Sequence, residues 1–176
     1  VGLGADSKLG IPGEDGANVF GGVEWVEKMK LDGAYSLDGV RRAIVIGGGN
    51  TALDVVRELA KLGVPEVALV YRRTEADMPG YKHELELARK EGVRLVEKAV
   101  PSQFVRQDGK LAAVALADGR EIACDLAVVA IGQGKLGSLV SQFTGVAVND
   151  KGLAIADPMT GATGNPKVFV GGDVTG

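Results

Sequence analysis

The sequence is short of the residues that usually announce chemistry. Its 176 residues hold one cysteine, Cys124, one histidine, His83, and one tryptophan, Trp25, with aromatics at only 5%. A lone cysteine forms no internal disulfide, and without a Cys-x-x-Cys pair the chain lacks dithiol redox chemistry. His83 stands between Lys82 and Glu84, a solvated setting with no metal-ligating cluster around it. There is no basic excess: 20 Lys and Arg against 23 Asp and Glu leave a net charge of -3. That argues against nucleic acid as the main partner, although a local basic cluster can still hold a single phosphate. No apolar run approaches the length of a membrane span, so no membrane association is expected. No signal peptide is visible, and cysteine usage fits a cytoplasmic location. The chain starts at Val1 without a methionine and reads as an excised piece.

Glycine, by contrast, is abundant, with 27 residues in a chain that is 45% hydrophobic and 24% charged. This composition supports a globular core rather than disorder. The glycines form no repeat; many sit where a strand would turn into a helix. Val1 to Asp15 reads as a strand end and a Gly/Pro-rich loop. Val23 to Met29 reads as a short helix with Val23, Val26 and Met29 inward, and Trp25 as packing at the domain edge. Arg42 to Ile46 is a short apolar run that suits a buried parallel strand. From Ala52, apolar residues recur at helical spacing through Val55, Val56, Leu59 and Ala60, and Gly63 is a C-terminal stop. Val67 to Tyr71 is the next strand, which completes a right-handed βαβ unit. Tyr81 to Glu91 predicts a charge-rich, solvent-facing helix closed by Gly92, and Val93 to Val96 a third parallel strand. Asp108-Gly109 and Asp118-Gly119 are hairpin turns between Gln103–Arg106, Leu111–Leu116 and Glu121–Cys124, giving a small antiparallel meander. Leu126 to Ile131 is a further buried strand, with Cys124 just before it as a core thiol. The tail is loop-rich until a last strand at Val168 to Val170.

The strand at Arg42 to Ile46 runs directly into Gly47-Gly48-Gly49-Asn50-Thr51-Ala52, which fits G-x-G-x-x-A. Gly47 permits a sharp turn, Gly49 lets a pyrophosphate approach the backbone, and Ala52 lets the helix lie close on the strand. The free N–H groups of the first helical turn then face the phosphates, with Asn50 and Thr51 as added donors. A glycine pattern alone also describes a tight turn without a ligand; its place between strand and helix favours a dinucleotide. The second strand ends in Tyr71-Arg72-Arg73-Thr74, where an NAD site would carry an acid for the ribose hydroxyls. Two guanidinium groups there suit a 2′-phosphate, so Arg72 and Arg73 point to NADP(H). Glu75 and Asp77 are the competing partners for these arginines. No side chain reads as general acid, base or nucleophile, which agrees with hydride transfer between cofactors.

These motifs, with Met78-Pro79, Ile11-Pro12-Gly13-Glu14-Asp15, Val129-Ala130-Ile131-Gly132-Gln133 and Gly171-Gly172-Asp173, resemble the small-subunit family of glutamate synthase. That group includes the NADPH-binding part of dihydropyrimidine dehydrogenase and related ferredoxin:NADP oxidoreductases. The resemblance spans almost the whole chain. It implies an α/β fold: a Rossmann-like NAD(P)-binding domain with a parallel sheet and a three-stranded antiparallel meander, inserted in an FAD-binding domain. Residues 1–17 and 146–176 would belong to the FAD-binding domain and its linkers, and 18–145 to the NADP(H) domain. The resemblance places Gly132 where the dinucleotide passes the backbone and Asp173 at the flavin's ribityl chain. It puts the FAD glycine fingerprint upstream of Val1 and the iron–sulfur cysteines outside this chain. The partner of the intact protein would be an iron–sulfur or glutamate synthase-type domain or subunit. A self-contained NADP-dependent dehydrogenase would need a substrate domain with catalytic residues, and none is found. A non-catalytic NADP(H)-sensing or scaffold domain is the alternative from a different class.

Overall fold

Strands buried on both faces should be nearly continuous apolar runs, and those of this chain form one parallel sheet. The computed structural model describes residues 4–134 and 137–175. The sheet contains β1 (Val19–Gly21), β2 (Arg42–Ile46), β3 (Glu66–Val70), β4 (Arg94–Val96) and, after a meander of three further strands, β8 (Leu126–Val129). Its order is β1-β8-β2-β3-β4, with every neighbouring pair parallel. The register matters for function: Ile46 lies opposite both Val70 and Val129, and Val70 opposite Val96. The central strands therefore finish level, and the loops that follow them share one edge of the sheet, where open α/β sheets bind ligands.

Alternation along β2 divides the core into two layers. Ala43 and Val45 face helices α1 (Gly22–Leu31), α2 (Asn50–Lys61) and α3 (Lys82–Lys90), joining Ala52, Val55, Val56, Leu59 and Leu85. Ile44 and Ile46 face the opposite way, joining Phe104, Leu111, Val114 and Ile122. Those four come from the meander of β5 (Pro101–Gln107), β6 (Lys110–Leu116) and β7 (Glu121–Ala123), an antiparallel sheet in that order. Each fully buried Leu, Ile or Val contributes about 1.5–3 kcal/mol. Gly63 (φ 87°) follows the end of α2 and Gly92 (φ 88°) the end of α3, both in the left-handed region that favours glycine. The two helices are tied by Arg57, which donates to Glu91 (2.9 and 2.8 Å) and to Glu84.

Four expectations change. Trp25 is not at the domain edge: it is 1% exposed, packs in the helix-side core and donates from Nε1 to the Tyr35 hydroxyl at 3.1 Å. Helix α1 turns Trp25 inward, and the half-buried Val26 and Met29 pack against the same core as expected. Helix α3 is not wholly solvent-facing, because Leu85 and Ala88 are buried against α2. The run Leu126 to Ile131 stops pairing at Val129, and Ile131 is 43% exposed at the functional edge of the sheet. Val168 to Val170 forms no strand; Phe169 makes only an isolated antiparallel bridge to Ala162.

The chain divides into two compact units. Residues 6–132 form the unit just described. The other comprises the described residues of 1–5 and 133–176, with its own small core of Val140, Val146, Ala154 and Val174. Within it, the outgoing and returning segments pair side by side: the Gly4 N–H donates to the Gly134 carbonyl at 2.6 Å, and the Gly134 N–H to the Ala5 carbonyl at 2.8 Å. Among the described residues, no helix is long and apolar enough to cross a membrane.

Candidate functional site

At the level ends of β2, β3 and β8 lies a cleft of about 610 Å³. One wall is Gly47, Gly48, Gly49 and Thr51; another is Tyr71, Arg72 and Arg73; Ala130, Ile131 and Gly132 close a third side. Seven of the ten sequence-derived site residues thus line one cavity: Gly47, Gly48, Gly49, Thr51, Arg72, Arg73 and Gly132. Ala52 lies beneath it, fully buried, where its small side chain allows α2 to approach the turn. Asn50 is exposed, but its Oδ1 accepts from the Tyr81 N–H at 3.0 Å, so only its amide nitrogen is left for a ligand. Asp173 belongs to the other unit, exposed in a single 3-10 turn (Gly172–Val174), and is not among the residues lining the cleft.

The three glycines of the turn are glycine for different reasons. Gly47 has φ 151°, and a Cβ there would collide with the carbonyl of Ala130. At Gly48 a Cβ would strike the ring of Tyr71. Gly49 has φ -88°, which any residue adopts, and a Cβ there would meet nothing within 4 Å. The fold accounts for the first two; for the third it gives no reason, and the open space beside Gly49 is the cleft.

Helix termini make the same point. The start of α1 is already satisfied by Asp6, whose carboxylate accepts from the N–H groups of Val23 (3.0 Å) and Glu24 (3.0 Å). The start of α2 has no side-chain cap and no acidic residue in its first turn. Its orphan N–H groups and the positive end of its dipole face the cleft, an arrangement suited to a phosphate.

The arginines are exposed, and neither forms an ion pair among the described residues. The nearby carboxylates take their hydrogen bonds from other groups, although the Arg73 charge also acts on Asp77. Glu75 receives a two-pronged ion pair from Arg89 (2.9 and 2.5 Å), which holds its carboxyl below the usual range. Asp77 accepts from the hydroxyl and N–H of Thr74 (2.6 and 3.2 Å), which lowers its carboxyl in the same sense. Among the residues lining the cleft there is no carboxylate, lysine, histidine or cysteine. The cavity therefore offers two guanidinium groups outside any salt bridge, backbone N–H groups at the start of α2, and a Tyr71 phenol whose proton is donated to the Asp77 carbonyl: an arrangement suited to an anionic ligand.

The sequence reading did not find the rest of the lining. Leu9, Ile11, Val100 and Pro101 supply an apolar side. Leu9, Ile11 and Val100 come from loops and Pro101 opens β5; their approach to the cleft depends on tertiary packing, and no local periodicity marks them. Cys124 lies outside the cleft, fully buried, and burial pushes its thiol up to about 12. His83 is exposed and stacks on Tyr81 with ring centroids 5.6 Å apart.

Known proteins share this architecture. NADP(+)-dependent formate dehydrogenase subunit beta of Moorella thermoacetica is 33% identical over 196 residues, covering 99% of this chain and 27% of that protein. Glutamate synthase [NADPH] small chain of Halomonas elongata is 30% identical over 197 residues, covering 94% of this chain and 41% of that protein. The chain thus spans well under half the length of either relative. Among solved structures, thioredoxin reductase of T. acidophilum superposes with a TM-score of 0.79 at 19% identity, covering 100% of this chain and 56% of that one; this likeness speaks to the fold alone. The family model described as pyridine nucleotide-disulphide oxidoreductase matches residues 1–176, and the chain belongs to that family.

Proposed function

We propose that this chain is the NADP(H)-binding part of a flavin-dependent oxidoreductase. NADPH binds in the cleft with its pyrophosphate on the Gly47–Ala52 turn and its 2′-phosphate on Arg72 and Arg73. The observation that carries the reading is the convergence of an uncapped helix start with two unpaired arginines in one cavity. The two relatives, an NADP(+)-dependent formate dehydrogenase subunit and a glutamate synthase [NADPH] small chain, support the same cofactor. Gly132, with φ 124° and open space where a Cβ would stand, gives the dinucleotide a second stretch of bare backbone. The chain's own contribution is to bind and orient the nicotinamide and keep the nucleotide's anionic groups fixed, which is what hydride transfer between cofactors asks of a protein.

FAD, when bound, supplies the hydride acceptor. On this reading the NADP(H) domain, residues 18–145, is inserted in an FAD-binding domain to which residues 1–17 and 146–176 contribute. The side-by-side pairing of Gly4 and Ala5 with Gly134 supports an insertion, with the chain leaving and returning nearer residues 5 and 133, the limits of the compact unit 6–132, than residues 18 and 145. Asp173 is the residue here proposed to accept a hydrogen bond from the flavin's ribityl chain. Electrons then pass to an iron–sulfur or glutamate synthase-type partner domain or subunit.

The test is the effect of Arg72→Ala and Arg73→Ala on the two pyridine nucleotides. Each loss should weaken NADPH binding by about 1.5–3 kcal/mol, the scale of a hydrogen bond to a charged group, and leave NADH binding almost unchanged. An equal loss for both nucleotides would remove the 2′-phosphate assignment.

A further inference from the structure

The loop that carries the arginines is bound to the glycine turn at several points, and one side chain touches both. Tyr71 closes β3 and is 7% exposed. Its ring fills the space that a side chain on Gly48 would need. Its hydroxyl donates to the carbonyl of Asp77 at 2.9 Å, six residues along the loop. Asp77 is in turn held by Thr74, through the 2.6 Å bond from the Thr74 hydroxyl and the 3.0 Å bond from its own N–H to the Thr74 carbonyl. Arg72 and Arg73 lie on the segment between Tyr71 and Thr74. Beyond Asp77 the loop returns to the turn: the Gly80 N–H donates to the Gly48 carbonyl at 3.0 Å, and the Tyr81 N–H to Asn50 Oδ1 at 3.0 Å. At its start the loop is pinned to the end of β4, with the Tyr71 N–H donating to the Val96 carbonyl (2.9 Å) and the Lys98 N–H to the Arg73 carbonyl (2.9 Å).

We propose that Tyr71 is a positioning residue that sets the separation between the glycine turn and the arginine pair, so that preference for a 2′-phosphorylated nucleotide depends on its hydroxyl. The inference rests on the reading of the cleft as an NADP(H) site and deepens it. The physical ground is preorganisation. Two long exposed side chains lose rotamer freedom when they grip a phosphate, and a backbone already held in place leaves only that loss to be met. A loop free to drift by an ångström relative to the turn would present its guanidinium groups at the wrong distance from the pyrophosphate. Tyr71 also lines the cleft; its ring stays in Tyr71→Phe, and the hydroxyl that is removed donates its proton to the Asp77 carbonyl and so ties the loop.

The experiment is a pair of Kd measurements, NADPH and NADH, on the 176-residue chain and on Tyr71→Phe, which keeps the ring under Gly48 and removes only the hydroxyl. The expected result is a loss of about three- to tenfold in NADPH affinity, the value of one neutral hydrogen bond, with the NADH Kd changed less than about twofold. The NADPH-to-NADH ratio is the readout, because a general loss of structure lowers both affinities together. Thr74→Val, which removes the hydroxyl bond to Asp77 and leaves the two backbone bonds, should shift the ratio in the same direction; it carries the test if Tyr71→Phe does not fold. An unchanged ratio in both variants, or an equal fall in both affinities, overturns the proposal. If the unaltered chain itself shows no preference for NADPH, the 2′-phosphate reading fails first, and the positioning role fails with it.

Discussion

At the scale of single residues, the glycine turn separates what the fold requires from what a ligand requires. Gly47 and Gly48 are fixed by Ala130 and Tyr71; Gly49 faces open space in a conformation any residue adopts. Gly47→Ala should therefore destabilise the chain by about 1–3 kcal/mol, the cost of a strained backbone position. Gly49→Ala should leave the thermal midpoint nearly where it is and weaken NADPH binding by about 1–3 kcal/mol, as a methyl group keeps the pyrophosphate from the helix N–H groups. Thermal melts and nucleotide titrations of the two variants separate these effects. A Gly49→Ala chain that binds NADPH normally would take the pyrophosphate off this turn. Asn50 keeps its donor: its carbonyl oxygen serves the Tyr81 N–H, 31 positions away in sequence, and the amide nitrogen remains for a ligand.

Among the elements, what was legible in the sequence was whatever local pattern dictates. The apolar runs gave β2, β3 and β8, the 3.6-residue spacing gave α2, and Asp-Gly turns gave the meander of β5 to β7. What was not legible depended on contacts distant in the chain. Strand β1 has only three residues, all half-buried, and exists because it pairs with β8. Trp25 is drawn into the core by Tyr35 and the packing of α1, and joins there Val26 and Met29, which the pattern had put inward. The tail at Val168 has strand-like composition but only one bridge partner. The partners of Glu75 and Asp77, Arg89 and Thr74, were equally out of view, although they are what leaves Arg72 and Arg73 unpaired. The ion pairs from Arg57 to Glu84 and Glu91 make a prediction at this scale, since they hold α3 on α2. Hydrogen bonding from Arg57 lowers the Glu91 carboxyl below its ordinary value. A carboxyl lowered on folding stabilises above its unfolded pKa, and that stabilisation fades as pH falls through the lowered value. Melting curves should thus show Glu91→Gln less stable than the parent at neutral pH, with the difference shrinking in acid. A difference that stays constant down to strongly acidic pH would mean that the Arg57 pair does not hold the helices.

The whole chain combines a complete parallel sheet, a cleft at its functional edge and a second unit, residues 1–5 and 133–176, whose two segments come together beside Gly134. Membership in the pyridine nucleotide-disulphide oxidoreductase family fits each of these features. The cleft has the groups to hold a phosphorylated dinucleotide, and its proposed task is to present NADPH to an acceptor held elsewhere. The measurement that tests this most directly is a calorimetric titration of the chain with NADPH and, in parallel, with NADH. The account predicts saturable NADPH binding at one site and NADH binding weaker by at least about tenfold, the equivalent of 1.4 kcal/mol. Equal binding of the two would contradict the role given to Arg72 and Arg73, and binding of neither would contradict the assignment of the cleft itself.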